Sequence, residues 1–142
     1  MEINRLGQKI KTFNTAVGDR KGYIVLQLAN AFSESSATNY LDKNKIIKRL
    51  MVPVITIDDL VVKHKIKRID IIKIDVEGFG ANVINGALNA ISEFRSHIIL
   101  EIHRFDQDSE FKSMLILKNE FNYNIKLVEY RSKKNFIVYL YQ

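Results

Sequence analysis

Cysteine is absent from this chain of 142 residues, and proline occurs only once, as Pro53. Without cysteine the protein has no disulfides and no thiolate metal ligands, and cysteine usage gives no clue to the redox compartment. No apolar run is long enough to span a bilayer, and the N-terminus, Met-Glu-Ile-Asn-Arg, has no signal-peptide pattern. We therefore expect a cytoplasmic protein without a membrane-spanning segment.

The length and composition are compatible with one globular domain. Hydrophobic residues make up 46% of the chain, which is enough to bury a core, although a small one for an enzyme. The sequence shows no internal repeat, no linker and no second domain. We expect a single domain over residues 1–142.

The net charge of +6 raises the question of a nucleic-acid partner. The positive residues on which that question depends fall in three groups: Lys43, Lys45, Lys48 and Arg49; Lys63, Lys65, Lys67 and Arg68; Arg131, Lys133 and Lys134. None of these groups is interleaved with aromatics or glycines in a known RNA-binding pattern. The charge therefore indicates a solvated basic surface, which also suits an anionic substrate or a phosphate-bearing partner.

Hydrophobic periodicity and turn residues predict an α/β protein. Residues 10 to 17 and 22 to 29 are typical of a β-hairpin, since turn residues fill positions 18 to 22. Residues 30 to 45, rich in Ser, Asn and Ala, predict a mobile loop, and Pro53 is expected to open a short strand.

The second half of the chain alternates between helical and extended patterns. Thr56 and Asp59 form a capping-box-like start for a helix to about His64. Gly86 lies inside an amphipathic pattern, where glycine costs about 1 kcal/mol relative to alanine, and this suggests close packing. The other predicted elements are strand 69–76, helix 79–94, strand 97–103, helix 108–121, and strands 125–131 and 136–141, the last two as an antiparallel pair.

The segment from Ile69 to Gly78 is an apolar strand that ends in two carboxylates and a glycine. Its β-branched residues suit an interior strand of a parallel sheet that is buried on both faces. Ligands of open α/β sheets bind beyond the carboxyl ends of such strands, where Asp75 and Glu77 extend to the same side of the backbone. The alternative interpretation is a helix-capping Asp beside a solvated Glu.

Four ordered motifs decide between these interpretations. The motifs are Phe13 to Gly22, Val52 to Leu60, Lys73-Ile-Asp75-Val-Glu77-Gly78 with the following Val83 to Ala87, and Ile98 to His103. Together they closely resemble the second part of the FkbM-type S-adenosylmethionine-dependent methyltransferases. The resemblance covers roughly residues 10 to 105, and it implies a partial Rossmann-like class I methyltransferase fold, a mixed sheet with an antiparallel last strand.

The departures from the family concern the cofactor site. The family's strand order is 3-2-1-4-5-7-6, and the resemblance begins only at its third strand. The sequence has no glycine-rich loop of the Asp-x-Gly-Ala-x-x-Gly kind and no second strand ending in the Glu that would hold the ribose. Gly80 also stands where the family commonly places a Glu. We expect weak or absent binding of S-adenosylmethionine by this chain.

The family's site residues are carried over only to matching positions. Asp75 and Glu77 match the signature and are implied to be catalytic, with Asp75 also near the cofactor. Lys73 and Glu101 match as candidates for substrate binding, although Lys73 also suits pairing with a neighbouring acid. His103 is the candidate general base, because a histidine titrates near neutral pH.

A metal site is not predicted. Asp75, Glu77 and Glu101 offer three carboxylates, which suit a hard cation, but a fourth ligand is not evident. His64, expected on a surface helix, and His97, at a strand start, do not indicate zinc.

The resemblance implies methyl transfer to a hydroxyl oxygen of a small molecule or a sugar. Two alternatives remain open: an inactive remnant that binds a partner, and a basic nucleic-acid-binding α/β module. Without the family's first two strands, the strand at 69 to 76 has an open edge. We expect a second copy, a complementing chain or the 10 to 29 hairpin to cover it.

Overall fold

The computed structural model describes residues 9–29, 46–76, 78–103, 109–132 and 135–142. In chain order the elements are β1 (Ala16–Val17), β2 (Gly22–Ala29), β3 (Ile46–Ile55), α1 (Ile57–His64), β4 (Ile71–Ile74), α2 (Gly80–Asn85), α3 (Leu88–Phe94), β5 (His97–His103), α4 (Ser109–Phe121), β6 (Asn124–Ser132) and β7 (Asn135–Tyr141). None of the helices within these ranges has the length and apolar character that crossing a membrane requires.

The larger of two sheets has the strand order β4-β5-β7-β6. Strands β4 and β5 are parallel, whereas β7 runs antiparallel to both of its neighbours, β5 and β6. This is a mixed sheet with an antiparallel last strand, and its order is the one that the resemblance predicts for the second half of the fold. The predicted strand 97–103 is confirmed as β5 (His97–His103), and the predicted helix 108–121 is confirmed over its described residues, as α4 (Ser109–Phe121).

One face of this sheet carries the hydrophobic core. Helices α2, α3 and α4 cover it, since their apolar residues share a buried cluster with those of the strands. The fully or almost fully buried strand residues are Ile72, Ile74, Ile98, Leu100, Ile102, Val138 and Leu140. Each such side chain stabilises the fold by about 1.5–3 kcal/mol relative to an exposed position.

Strand β4 is buried on one face only, which corrects the prediction of an interior strand with two buried faces. Ile72 and Ile74 face the core, while Ile71 is 59% exposed and Lys73 is exposed beside it. Successive side chains of a strand point to opposite faces, and the helices pack on just one of them. Within the described residues, β5 is the only strand that pairs with β4, so β4 forms an edge of the sheet.

The smaller sheet has the order β1-β3-β2, and the predicted hairpin between residues 10–17 and 22–29 is therefore wrong. Strand β3 lies between these segments, parallel to β1 and antiparallel to β2. The prediction failed because β3 pairs with β2 over eight residue pairs, and such a long-range pairing outweighs a local turn signal. The predicted loop at 30 to 45 lies outside the described residues.

Pro53 does not open β3, which begins seven residues earlier at Ile46. It lies near the other end of the strand, opposite Tyr23. Proline has no backbone N–H to donate, but its carbonyl oxygen accepts a hydrogen bond of 2.8 Å from the hydroxyl of Thr15. The pairing of β3 with its neighbours therefore outweighs the tendency of Pro53 to mark the start of a strand.

Helix α1 begins as predicted. The hydroxyl of Thr56 accepts a hydrogen bond of 2.9 Å from the backbone N–H of Asp59, which confirms the N-cap. The ammonium of Lys21 lies 2.7 Å from the Asp59 carboxylate. Hydrogen bonds from Lys21 first and from Thr56 second lower the pKa of Asp59. The pair joins the turn before β2 to the start of α1.

The predicted helix from 79 to 94 is two helices, α2 and α3, that are separated at Gly86 and Ala87. The expected close packing at Gly86 is present, because a Cβ atom at this position would overlap the carbonyl oxygen of Gly18. Glycine is thus required here for space, and the small sheet approaches the helices of the large sheet at this point.

Asp58 takes the place of the helical hydrogen bond that is missing at the break. In a continuous helix the carbonyl of Gly86 would accept from the N–H of Ala90. Instead, the Gly86 carbonyl accepts from the N–H of Asp58 at 3.0 Å, and the Ala90 N–H donates to the Asp58 carboxylate at 2.8 Å. The side-chain amide of Asn89 donates to the same carboxylate at 2.8 Å. The break is therefore a docking point for α1.

We predict that Gly86→Ala destabilises the protein by about 1–3 kcal/mol, because the new methyl group overpacks a site that is occupied by backbone. Urea denaturation measures the change. Asn85→Ala, at the exposed neighbouring position, is the matched control and should stay within about 0.5 kcal/mol of the wild type. Equal stability of Gly86→Ala and the wild type would contradict the close approach of Gly18.

Candidate functional site

The candidate site lies at the carboxyl edge of the parallel strands β4 and β5. Parallel strands end at the same edge of a sheet, and this edge is where α/β proteins bind ligands. Strand β4 ends at Ile74 and is followed by Asp75, Val76 and the turn into α2. Gly78 in this turn has a φ of 75°, a left-handed conformation that glycine adopts without steric cost.

Asp75 is accessible at this edge. Its side chain is 44% exposed, and its carboxylate lies 2.8 Å from the ammonium of Lys73 on the same side of the strand. Lys73 therefore pairs with the neighbouring acid, as its place in the strand suggested. An exposed pair of this kind contributes little to stability.

Glu101 occupies a different environment from Asp75. Its side chain is only 6% exposed, and its carboxylate accepts a hydrogen bond of 2.7 Å from Arg131. Arg131 also contacts Glu129 at 3.2 Å, and the hydrogen bond to Glu129, followed by the charge of Glu101, raises the pKa of the guanidinium. Glu101 thus joins β5 to β6 across β7, and its carboxylate is largely covered.

The strand register places three of the candidate residues on one face of the sheet. Ile74 pairs with Leu100, so Glu101 lies one step further along, at the level of Asp75. In the alternation of side chains along the strands, Lys73, Asp75 and Glu101 lie on the same face of the sheet as the exposed Ile71. This face points away from the helices. The candidate carboxylates therefore lie on the sheet face that helices α2, α3 and α4 leave open.

Two candidate groups lie outside the described residues. They are Glu77 and the side chain of His103, whose backbone ends β5 opposite Asn135. In the part of the chain that the structure describes, no three His, Asp or Glu side chains are grouped as metal ligands would be.

The other two histidines each have a polar neighbour. Lys11 approaches one ring nitrogen of His64, and the hydroxyl of Tyr139 approaches one ring nitrogen of His97.

Glu110 is a buried carboxylate at this edge that the sequence did not single out. It lies in the first turn of α4, is 3% exposed, and accepts a hydrogen bond of 3.0 Å from the backbone N–H of Gly80. The available signal was indirect: Gly80 departs from the family pattern, and the predicted helix at 108–121 begins with an acid. Neither observation indicates that the two positions meet in space.

A small cleft adjoins the turn that follows Asp75. It has a volume of about 210 Å³ and lies between residues 19–24 of the small sheet and the side chains of Phe79 and Asn82. Ligand pockets for molecules of drug size measure about 300–1,000 Å³, so this cleft is too small to enclose a nucleoside cofactor. A larger cleft, of about 680 Å³, lies between residues 12–15 and α1, away from Asp75.

Comparison with known proteins agrees with this geometry. The family model described as the methyltransferase FkbM domain matches residues 2–125. The chain is similar to the crystal structure of a methyltransferase FkbM from Methylobacillus flagellatus KT, with a TM-score of 0.63 and 18% identity. The likeness covers 97% of this chain and 30% of the other one, so the chain spans less than a third of that protein. No curated protein matches the chain significantly.

The structural likeness establishes the fold. At 18% identity it supports the architecture alone, and that architecture is the partial Rossmann-like class I methyltransferase fold that the motifs predicted. The strand order of the large sheet and its antiparallel last strand are the features that carry this assignment.

Proposed function

The chain belongs to the FkbM methyltransferase family, and we propose that it contributes the acceptor-binding and catalytic edge of a methyltransferase. The reaction is methyl transfer from S-adenosylmethionine to a hydroxyl oxygen of a small molecule or a sugar. The observation that carries this proposal is the accessible Asp75 carboxylate at the joint carboxyl edge of β4 and β5. Positioning of the acceptor at such an edge supplies most of the rate in a simple group transfer.

The residues of this chain act on the acceptor. Asp75 orients the acceptor through a polar group other than the reacting hydroxyl, and Lys73 provides a positive charge beside it. His103 or Glu77 takes the hydroxyl proton as the new carbon–oxygen bond forms. Glu101 supports the neighbouring strand end through Arg131. S-adenosylmethionine, when bound, supplies the methyl group on its sulfonium.

The chain by itself does not provide a complete cofactor site. The sequence contains no glycine-rich loop or ribose carboxylate of the family's kind, and the cleft beside the turn that follows Asp75 has a volume of only about 210 Å³. We propose that a complementing polypeptide supplies these elements. The face of β4 that carries Ile71, Lys73 and Asp75 supports this proposal, since it lies open on the side away from the core.

A second candidate function is partner binding through the edge of β4 that no other described strand pairs with. Unpaired backbone groups on an edge strand are a template for another strand. Within the described residues, neither β1 nor β2 pairs with β4, although residues 10–29 were one expected cover. We propose that the edge joins a second copy of the chain when no complementing polypeptide is present.

We predict that the isolated chain binds S-adenosylmethionine weakly or not at all. A ligand at 100 times its dissociation constant stabilises a protein by about 2.7 kcal/mol, which raises the unfolding midpoint by several degrees. We expect no such shift at about 100 µM cofactor, a concentration at which a micromolar site would be saturated. A shift of several degrees, or heat of binding in calorimetry, would contradict the prediction.

Asp75→Asn is predicted to lower the methyl-transfer rate by about 10²-fold in any preparation that transfers methyl groups, because the acceptor loses the charged partner that orients it. Asp70→Asn is the matched control. Asp70 is also exposed, and it also pairs with a basic residue two positions earlier, Arg68, but at the opposite end of β4. Both variants should keep wild-type stability within about 0.5 kcal/mol. Equal rates for the two variants would remove Asp75 from the site.

We predict that the isolated chain self-associates through β4. Light scattering should give a mass above that of one chain, and the mass should fall on dilution. Hydrogen exchange should show that the outward amides of Ile71–Ile74 become less protected as the protein is diluted. A chain that is monomeric at all concentrations, with freely exchanging outward amides, would show that the edge stays open.

A further inference from the structure

Glu110 reaches the turn after β4 from a distant part of the sequence. Its carboxylate, 3% exposed, accepts the backbone N–H of Gly80 at 3.0 Å. Gly80 is the first residue of α2 and follows the turn that begins at Asp75. A hydrogen bond between an ionised acceptor and a backbone N–H is stronger than one between neutral groups. One end of this turn is therefore held by α4.

The absence of a side chain at Gly80 makes this contact possible. A Cβ atom at position 80 would lie 2.9 Å from the Oε1 atom of Glu110 and 3.2 Å from its Cδ and Cγ atoms. Gly80 has no positive φ, so its backbone conformation does not demand glycine. A side chain at position 80 and the carboxylate of residue 110 therefore compete for the same volume.

The helix that carries Glu110 is fixed to the core. Met114 and Leu117 of α4 are 5% and 0% exposed and belong to the same buried cluster as the inner face of β4 and β5. A side chain held by a packed helix has its position determined more narrowly than one on a loop. The Glu110 carboxylate is therefore a rigid support for the turn.

We propose that Glu110 is a positioning residue that acts from α4. Through the N–H of Gly80 it holds the turn that presents Asp75 to the acceptor. Its effect on methyl transfer rests on the function proposed above, whereas its hold on the turn does not.

Hydrogen exchange tests the hold on the turn without any activity measurement. In Glu110→Ala the amide of Gly80 should exchange about tenfold faster, as expected for one lost hydrogen bond to a charged acceptor. Glu110→Gln keeps an acceptor oxygen and should show a smaller increase. Glu120→Ala, at an exposed position of the same helix, is the control and should leave this amide unchanged. Unchanged exchange in Glu110→Ala would overturn the proposal.

An exchange of the two side chains tests whether positions 80 and 110 share one volume. Gly80→Glu alone should lower the unfolding midpoint, since two carboxylates then crowd that volume. Combined with Glu110→Ala, it should recover most of the midpoint lost in either single variant. Additive losses in the double variant would overturn the proposal. Recovery of the midpoint without any methyl transfer would count against the proposed function alone.

Discussion

The structure depends on two hydrogen bonds that Asp58 makes beside Gly86. They replace one hydrogen bond that a continuous helix would form there. The Asp58 N–H donates to the carbonyl of Gly86, and its carboxylate accepts from Ala90, so both groups freed by the helix break are satisfied. Unsatisfied buried backbone groups would each cost about 1–3 kcal/mol. The break between α2 and α3 is therefore stable only while α1 is docked. Because α1 directly follows β3, the small sheet is docked together with α1.

This docking builds the surroundings of the candidate site. The Gly18 carbonyl lies against Gly86, and the following residues 19–24 come to rest beside Phe79 and Asn82, next to the turn that begins at Asp75. On its other side the turn is held by Glu110 of α4. The turn is thus supported by two elements that are remote in sequence, while the opposite face of β4 remains open.

Local signals in the sequence were sufficient for the elements whose stabilising groups are close along the chain. The cap at Thr56 needs only the N–H of Asp59, three residues later, and it was predicted correctly. Amphipathic and alternating patterns located α4 and the antiparallel pair β6 and β7, because each pattern reflects a single buried face. The family motifs predicted the order of the large sheet, and they identified the edge at which Asp75 lies.

Other features were decided by the tertiary structure, because the groups that determine them are far apart in the chain. The pairing of β2 with β3 instead of β1, the helix break at Gly86 and the approach of Glu110 to Gly80 are three such cases. Hydrophobic periodicity reports which face of an element is buried, but it does not report what covers that face. For the same reason the sequence presented β4 as an interior strand, whereas its open face and edge became evident only once the neighbouring elements were in place.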